Sequence, residues 1–374
     1  MSSNGESLVA KSLAERGISR RDFLKFCTVL AGALALPTRY GVRIAEALES
    51  KKEKLPVIWL EFQDCAGCSE SFTRSYRTSA AQVVLDLISL NYHETLMAAA
   101  GTHAEQAREE TIKKGGYLVV VEGAVPTQNY CVIGGKTAEQ ILKETVKNAV
   151  AVVAVGSCSS FGGLPKAHPN PTGARAVMDI VKDKPVLNLP GCPVNGENIT
   201  ATLAYYLTFG ELPAMDHLHR PLFAYGALIH DNCPRRAHFD KGEFVREWGD
   251  EGHKKGWCLY KMGCKGPITH ANCPLILWND GTSWPIGSGH PCIGCVEPDF
   301  WDRGIYHQVK PQEVAPPAYY PESTAKTEKK INATSYAVTG AVVGAIVGAA
   351  GTAAVVKGKK NGGEKTGEKS SEES

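Results

Sequence analysis

Cysteine dominates the chemistry open to this chain. It holds twelve cysteines, and ten of them, with one histidine, sort into three sets of soft metal ligands. The first set is Cys65, Cys68, Cys158 and Cys192, opening on a Cys-x-x-Cys pair. The second is His230, Cys233, Cys258 and Cys264, with His230 three residues before Cys233. The third has three members, Cys273, Cys292 and Cys295. Only Cys27 and Cys131 are left over. Thiolate ligands favour zinc or iron–sulfur clusters. Three metal–sulfur centres in one chain suggest a wire for electrons, because hydrolytic chemistry needs no such series. A zinc- or disulfide-stabilised exported binding module would also use paired cysteines. That alternative leaves the three-cysteine set without a purpose.

Composition narrows the classes further. A net charge of +2 makes no electrostatic case for nucleic acid. A chain of 374 residues is long enough for two domains and does not need disulfides for stability.

The elements that must position the ligands follow from hydrophobic periodicity. Short apolar runs at Val57–Leu60, Tyr117–Val121, Ala149–Val155 and Pro185–Leu189 read as strands. Ala80–Leu90 and Lys136–Asn148 read as helices. Strands alternating with helices predict an α/β fold with a parallel, doubly wound sheet of flavodoxin-like type over residues 48–219. Ligands of such sheets sit beyond the carboxyl ends of the strands. The first cysteine set falls on three of those strand-end loops. Gly67, Gly156, Gly162, Gly163 and Gly191 lie in the same loops, where a missing Cβ lets backbone approach a bulky group.

From about Arg220 the periodicity disappears. Residues 220–310 are rich in Cys, His, Gly, Pro and Trp, and are poorly equipped to form a core alone. Metal ligation is a natural substitute, because it contributes folding energy.

The ends carry signals of another kind. Arg20-Arg21 precedes an apolar run from Phe26 to Leu36 that is too short to span a bilayer comfortably. Residues 1–47 therefore read as a twin-arginine signal peptide, with Ala45-Glu46-Ala47 as its cleavage site. That export machinery is an expected partner, and it carries proteins already folded. Residues 311–335 read as a linker. Residues 336–356 hold no charged side chain and, at about 1.5 Å per residue, reach roughly 30 Å, enough for a transmembrane helix. Gly340, Gly344 and Gly348 recur on one face of that helix. Lys357, Lys359 and Lys360 follow, so residues 357–374 read as a cytoplasmic tail and the body as periplasmic.

The motifs together resemble the small subunit of membrane-bound, periplasmic nickel–iron uptake hydrogenases. The resemblance rests on Cys65-Ala66-Gly67-Cys68-Ser69-Glu70, Gly156-Ser157-Cys158, Asn170-Pro171-Thr172-Gly173 and Pro190-Gly191-Cys192-Pro193. It extends through His230-Asp231-Asn232-Cys233, Gly256-Trp257-Cys258-Leu259-Tyr260 and Gly287 to Cys295. It implies a proximal [4Fe–4S] cluster on the first set, a distal [4Fe–4S] cluster on the second and a medial [3Fe–4S] cluster on the third. Pro285 matches the place where a fourth medial ligand would stand. The implied partners are a large subunit that holds the nickel–iron site and a membrane cytochrome b or other quinone-reducing subunit. A dimer of heterodimers is compatible with the family. Oxygen-tolerant relatives carry two extra cysteines near the proximal cluster, where this chain has Gly67 and Gly163, so the resemblance implies the standard, oxygen-sensitive type. The related cluster-bearing subunits of respiratory complex I and of energy-converting hydrogenases resemble only the first domain.

Overall fold

Five apolar segments pair into a single parallel sheet. The computed structural model describes residues 19–50, 53–75, 87–127, 129–279 and 281–303. The expected linker, transmembrane helix and tail lie outside the described residues, as do residues 1–18 of the expected leader. Among the described residues no helix is long and apolar enough to cross a membrane.

The strands are β1 (Leu55–Glu61), β2 (Ile88–His93), β3 (Tyr117–Glu122), β4 (Ala149–Val155) and β5 (Val186–Leu189). All neighbours are parallel, in the order β2-β1-β3-β4-β5. Both faces are covered, which explains why β3 and β4 read as nearly continuous apolar runs. On one face Trp59, Val120, Val153 and Leu187 meet helix α7 (Gly196–Phe209) through Leu203 and Ala204. On the other face Ile58, Val119, Val152 and Val186 meet α5 (Ala138–Val146) through Ile141 and Leu142, and α4 (Thr102–Lys114) through Ala104.

Two boundaries differ from expectation. Residues 88–90, expected to end a helix, begin edge strand β2, where Ile88 pairs with Leu55 and Leu90 with Val57. Residues 80–86 lie outside the described residues. Ile88, Leu90 and Tyr92 recur with period two, and sheet pairing overrides the apolar run that suggested a helix. Helix α5 begins at Ala138 rather than Lys136 because Thr137 caps it: its hydroxyl accepts the Gln140 N–H at 3.3 Å, and Gln140 answers with its side chain. Lys136 and Thr137 pair antiparallel with Val132 and Ile133 instead.

Between Leu222 and Arg303 no described helix exceeds five residues. This segment is not packed separately: Ile229, Val245, Leu259, Trp284 and Ile286 join the same buried cluster as Trp59 and Leu203.

Within the segment expected as a leader, α1 (Arg20–Ala33) and α2 (Tyr40–Glu49) form a helical hairpin inside the main core cluster. Phe23, Cys27, Leu30 and Leu34 recur at helical spacing and are buried, as are Ile44 and Leu48. Gly41 permits the close crossing, since a Cβ there would lie 2.7 Å from the Thr28 hydroxyl. Each large side chain buried in this way contributes about 1.5–3 kcal/mol.

Candidate metal centres

The first set is assembled by the carboxyl edge of the sheet. Cys65 and Cys68 follow β1, Cys158 lies in the short helix α6 (Gly156–Phe161) after β4, and Cys192 follows β5. Ala66 adopts a left-handed conformation (φ 56°) before α3 (Gly67–Thr73), so the chain turns sharply between Cys65 and Cys68. The Asp64 carboxylate accepts the Ala66 N–H at 3.0 Å and holds that turn. The four thiols lie close enough to perturb one another: Cys68 feels Cys158 and Cys192, and both of these feel Cys65.

Two glycines make room for the sulfurs. A Cβ on Gly156 would meet the Cys68 Sγ at 2.5 Å, and one on Gly163 would meet the Cys158 Sγ at 2.5 Å. Both have positive φ, at 85° and 59°. Gly67 sits against the Cys65 Sγ, at 3.1 Å from its would-be Cβ.

The second set converges from the irregular segment. His230, Cys233, Cys258 and Cys264 all line one pocket with Ile229, Tyr260 and Pro267. The half-buried His230 ring stands edge-on to Phe239, with centroids 4.5 Å apart. Burial first, and the Arg236 charge second, push its pKa down to about 4. The imidazole is therefore neutral at pH 7 and has a lone pair to offer a metal.

The third set lies against both others. The Cys292 N–H donates to the Cys264 Sγ at 3.3 Å, linking it to the second set. Cys192 is an electrostatic neighbour of the Cys295 sulfur, linking it to the first. The Ser157 hydroxyl donates to the Cys295 carbonyl and accepts the Gly191 N–H at 2.9 Å, tying the same two sets again. Cys273 interacts with Cys292 and Cys295. The contacts therefore run first, third, second. Pro285 is exposed, and its carbonyl accepts the His290 N–H at 2.9 Å.

Burial raises thiol pKa values in all three sets, to about 12 for Cys158, Cys258, Cys273 and Cys295. Free, these thiols are protonated and inert, and a bound metal must displace the protons. Backbone N–H groups already point at several sulfurs, as Gly294 does at Cys292 (3.3 Å). Thiol-rich donors, glycine-lined space and N–H···S bonds are what iron–sulfur ligation requires. All twelve cysteines are unbridged. Cys27 is buried in the N-terminal hairpin, and Cys131 is half-buried.

Comparison with known proteins agrees with this geometry. A family described as NADH ubiquinone oxidoreductase, 20 Kd subunit, matches residues 65–206, the sheet domain alone. The irregular segment decides the matter: residues 225–307 match the family that describes the C-terminal part of NiFe/NiFeSe hydrogenase small subunits. The chain belongs to the NiFe hydrogenase small-subunit family. It is 48% identical over 301 residues to the uptake hydrogenase small subunit of Azotobacter vinelandii, covering 79% of this chain and 84% of the relative. It is 45% identical over 335 residues to the quinone-reactive Ni/Fe-hydrogenase small chain of Wolinella succinogenes, covering 87% and 94%. Its fold is similar to the reduced, active Ni-Fe-Se hydrogenase of Desulfomicrobium baculatum, with a TM-score of 0.65 and 35% identity, covering 69% of this chain and 100% of that one.

This hydrogenase small subunit is an electron-transferring part of an oxidoreductase. Its structure also reveals a supporting network that ligand spacing alone does not disclose. Glu122, at the end of β3, accepts the backbone N–H groups of Cys68 (2.9 Å) and Ser69 (3.0 Å) and the Ser69 hydroxyl (2.6 Å). The Ser69 hydroxyl lies 3.2 Å from His93 Nε2, and His93 Nδ1 lies 3.3 Å from Glu61. Glu61, His93 and Glu122 are all buried. The one sequence signal was that two apolar strands, β1 and β3, each end in glutamate. Spacing carried no hint of His93, which joins them from the edge strand.

Proposed function

We propose that the three ligand sets hold two [4Fe–4S] clusters and one [3Fe–4S] cluster, and that they serve a membrane-bound uptake hydrogenase. Cys65, Cys68, Cys158 and Cys192 would hold the proximal cluster. His230, Cys233, Cys258 and Cys264 would hold the distal one. Cys273, Cys292 and Cys295 would hold the medial one, beside Pro285. When bound, these clusters supply one-electron redox steps between hydrogen oxidation in a nickel–iron large subunit and a membrane cytochrome b or other quinone-reducing partner. The single observation that carries this reading is the serial contact: Ser157, next to Cys158, to Cys295, then Cys292 to Cys264.

The chain's own residues prepare the sites. N–H groups of Cys292 and Gly294 stabilise negative charge on thiolate sulfur. The neutral His230 carries one less negative charge than a thiolate would, at the end of the series. Gly67 and Gly163 leave the first set with four thiols, which supports an oxygen-sensitive enzyme.

The location follows from the ends. The Arg20-Arg21 leader would route the folded protein through twin-arginine export. Residues 336–356 would anchor it with the body facing the periplasm. The quinone-reactive relative supports a membrane partner.

Metal analysis of the purified two-subunit enzyme tests the reading. Two cubane clusters and one three-iron cluster give about eleven irons and about twelve inorganic sulfides, and the nickel–iron site of the large subunit adds one more iron, so about twelve irons per two-subunit enzyme are expected. Stoichiometric zinc without iron would overturn it.

A further inference from the structure

The N-terminal hairpin carries a consequence for processing. Its helix α1 turns one apolar stripe, Phe23, Cys27, Leu30 and Leu34, into the core rather than outward. Arg21 and Asp22, at the start of the same helix, remain exposed. Helix α2 lies against the C-terminal part of α7. The Tyr40 ring is 6.5 Å from that of Phe209, and the Arg43 guanidinium sits 5.4 Å above Phe209. Ile44 is fully buried, and Leu48 and Ala45 nearly so.

Ala45-Glu46-Ala47 lies inside α2. Ala45 is 4% exposed, and the Glu46 carbonyl is occupied by the Ser50 N–H at 2.9 Å. Proteolysis concentrates at exposed, unpaired backbone. A helical and buried bond is cut only from a locally unfolded state, at a rate set by the population of that state.

We infer that the end of α7 is a docking surface whose occupant is the leader hairpin itself, and that docking withholds the Ala45–Ala47 site from cleavage while Arg21 stays readable. The inference rests on residues 1–47 being an export leader. The chain then has two states. Docked, it presents the start of the arginine helix but neither the apolar stripe nor the cleavage bond. Released, it presents all three, and the face around Tyr205 and Phe209 is vacated.

The test uses the full-length chain in complex with its large subunit. Amide hydrogen exchange over residues 20–49 is measured beside the rate of cleavage by detergent-solubilised leader peptidase. Wild type should show hairpin amides protected at least tenfold and slow cleavage. Ile44→Asp, which places a charge in the buried face, should abolish protection and speed cleavage at least tenfold. Gly41→Leu, which prises α1 from α2 at Thr28, should act the same way if Ile44→Asp disturbs the body. Val42→Asp, on the exposed side of α2, should change neither. Unprotected amides in wild type, or wild type cut as fast as Ile44→Asp, would overturn the docking. Protection lost in Ile44→Asp with no cleavage near residue 47 in any form would instead sink the leader reading, and the gating with it.

Discussion

The buried Glu122 carboxylate accepts the backbone N–H of Cys68 at 2.9 Å, so an acid of one strand holds the ligand loop of another. It also receives the Ser69 N–H, the Ser69 hydroxyl and, at 3.3 Å, the Trp59 indole N–H. Glu122→Gln keeps the shape but swaps one acceptor oxygen for a donor among these donors. A cost of about 1–3 kcal/mol is expected for each buried group left unsatisfied. The thermal midpoint of cluster bleaching should fall, with the first set losing iron before the other two. Unchanged iron and midpoint would mean that the loop holds itself.

Gly156→Ala tests the sulfur space directly. The new Cβ would lie 2.5 Å from the Cys68 Sγ, at a φ of 85° that alanine disfavours. We expect the variant to lose about four of its irons, those of the first set, while the signals of the other sets persist. Full iron content would show that the loop can shift to accept a methyl group.

His230→Ala should damage electron exit more than hydrogen activation. Hydrogen–deuterium exchange at the large subunit needs no outlet, so it should survive better than dye reduction. Equal loss of both would make His230 a structural residue, held by its edge-on contact with Phe239.

Arg220 is 2% exposed and pairs with Asp216 at 2.8 Å and Glu297 at 3.1 Å. Arg220→Met leaves two carboxylates without their cation, and breaking a buried ion pair in this way costs about 3–5 kcal/mol. The pH dependence has a definite sign. Burial pushes the Asp216 pKa up, but the hydrogen bonds and charge of Arg220 outweigh it, and the net shift is downward. Asp216 therefore contributes stability above the ordinary carboxylate range, and loses it as pH falls through the lower folded value. Asp216→Asn should remove this acid-side slope, as read from denaturation midpoints as the pH is lowered below about 4, the ordinary carboxylate value. An unchanged slope would assign it to other carboxylates.

Hydrogen oxidation should stop in air and recover only on reduction. Gly67 and Gly163 stand beside the Cys65 and Cys158 sulfurs but cannot ligate iron through a side chain. Protein-film voltammetry with added oxygen checks this. Sustained current at atmospheric oxygen, or a second redox transition of the first set, would show the glycine argument to be wrong.

The sequence alone determined which residues are candidate ligands and the sheet that carries the first set. Thiol spacing is a local property, and β–α alternation writes its periodicity directly into the chain. Val57, Val119 and Val152 revealed their strands because strands buried on both faces must be apolar throughout. The edge strand β2 was hidden because a half-buried strand of mixed residues has no such signature, and pairing with β1 decides its state.

What only the tertiary structure decided are relationships between segments far apart in the chain. The order first, third, second depends on the Ser157 hydroxyl reaching the Cys295 carbonyl and on Cys292 meeting Cys264. The Glu61–His93–Ser69–Glu122 network needs three strand ends side by side. The fate of the N-terminus is the sharpest case. Its motif is local, and reads as a leader wherever it lies. Whether its apolar stripe faces water, a membrane or the protein depends on α7, which presents an apolar end far along the chain and captures the hairpin by burying it.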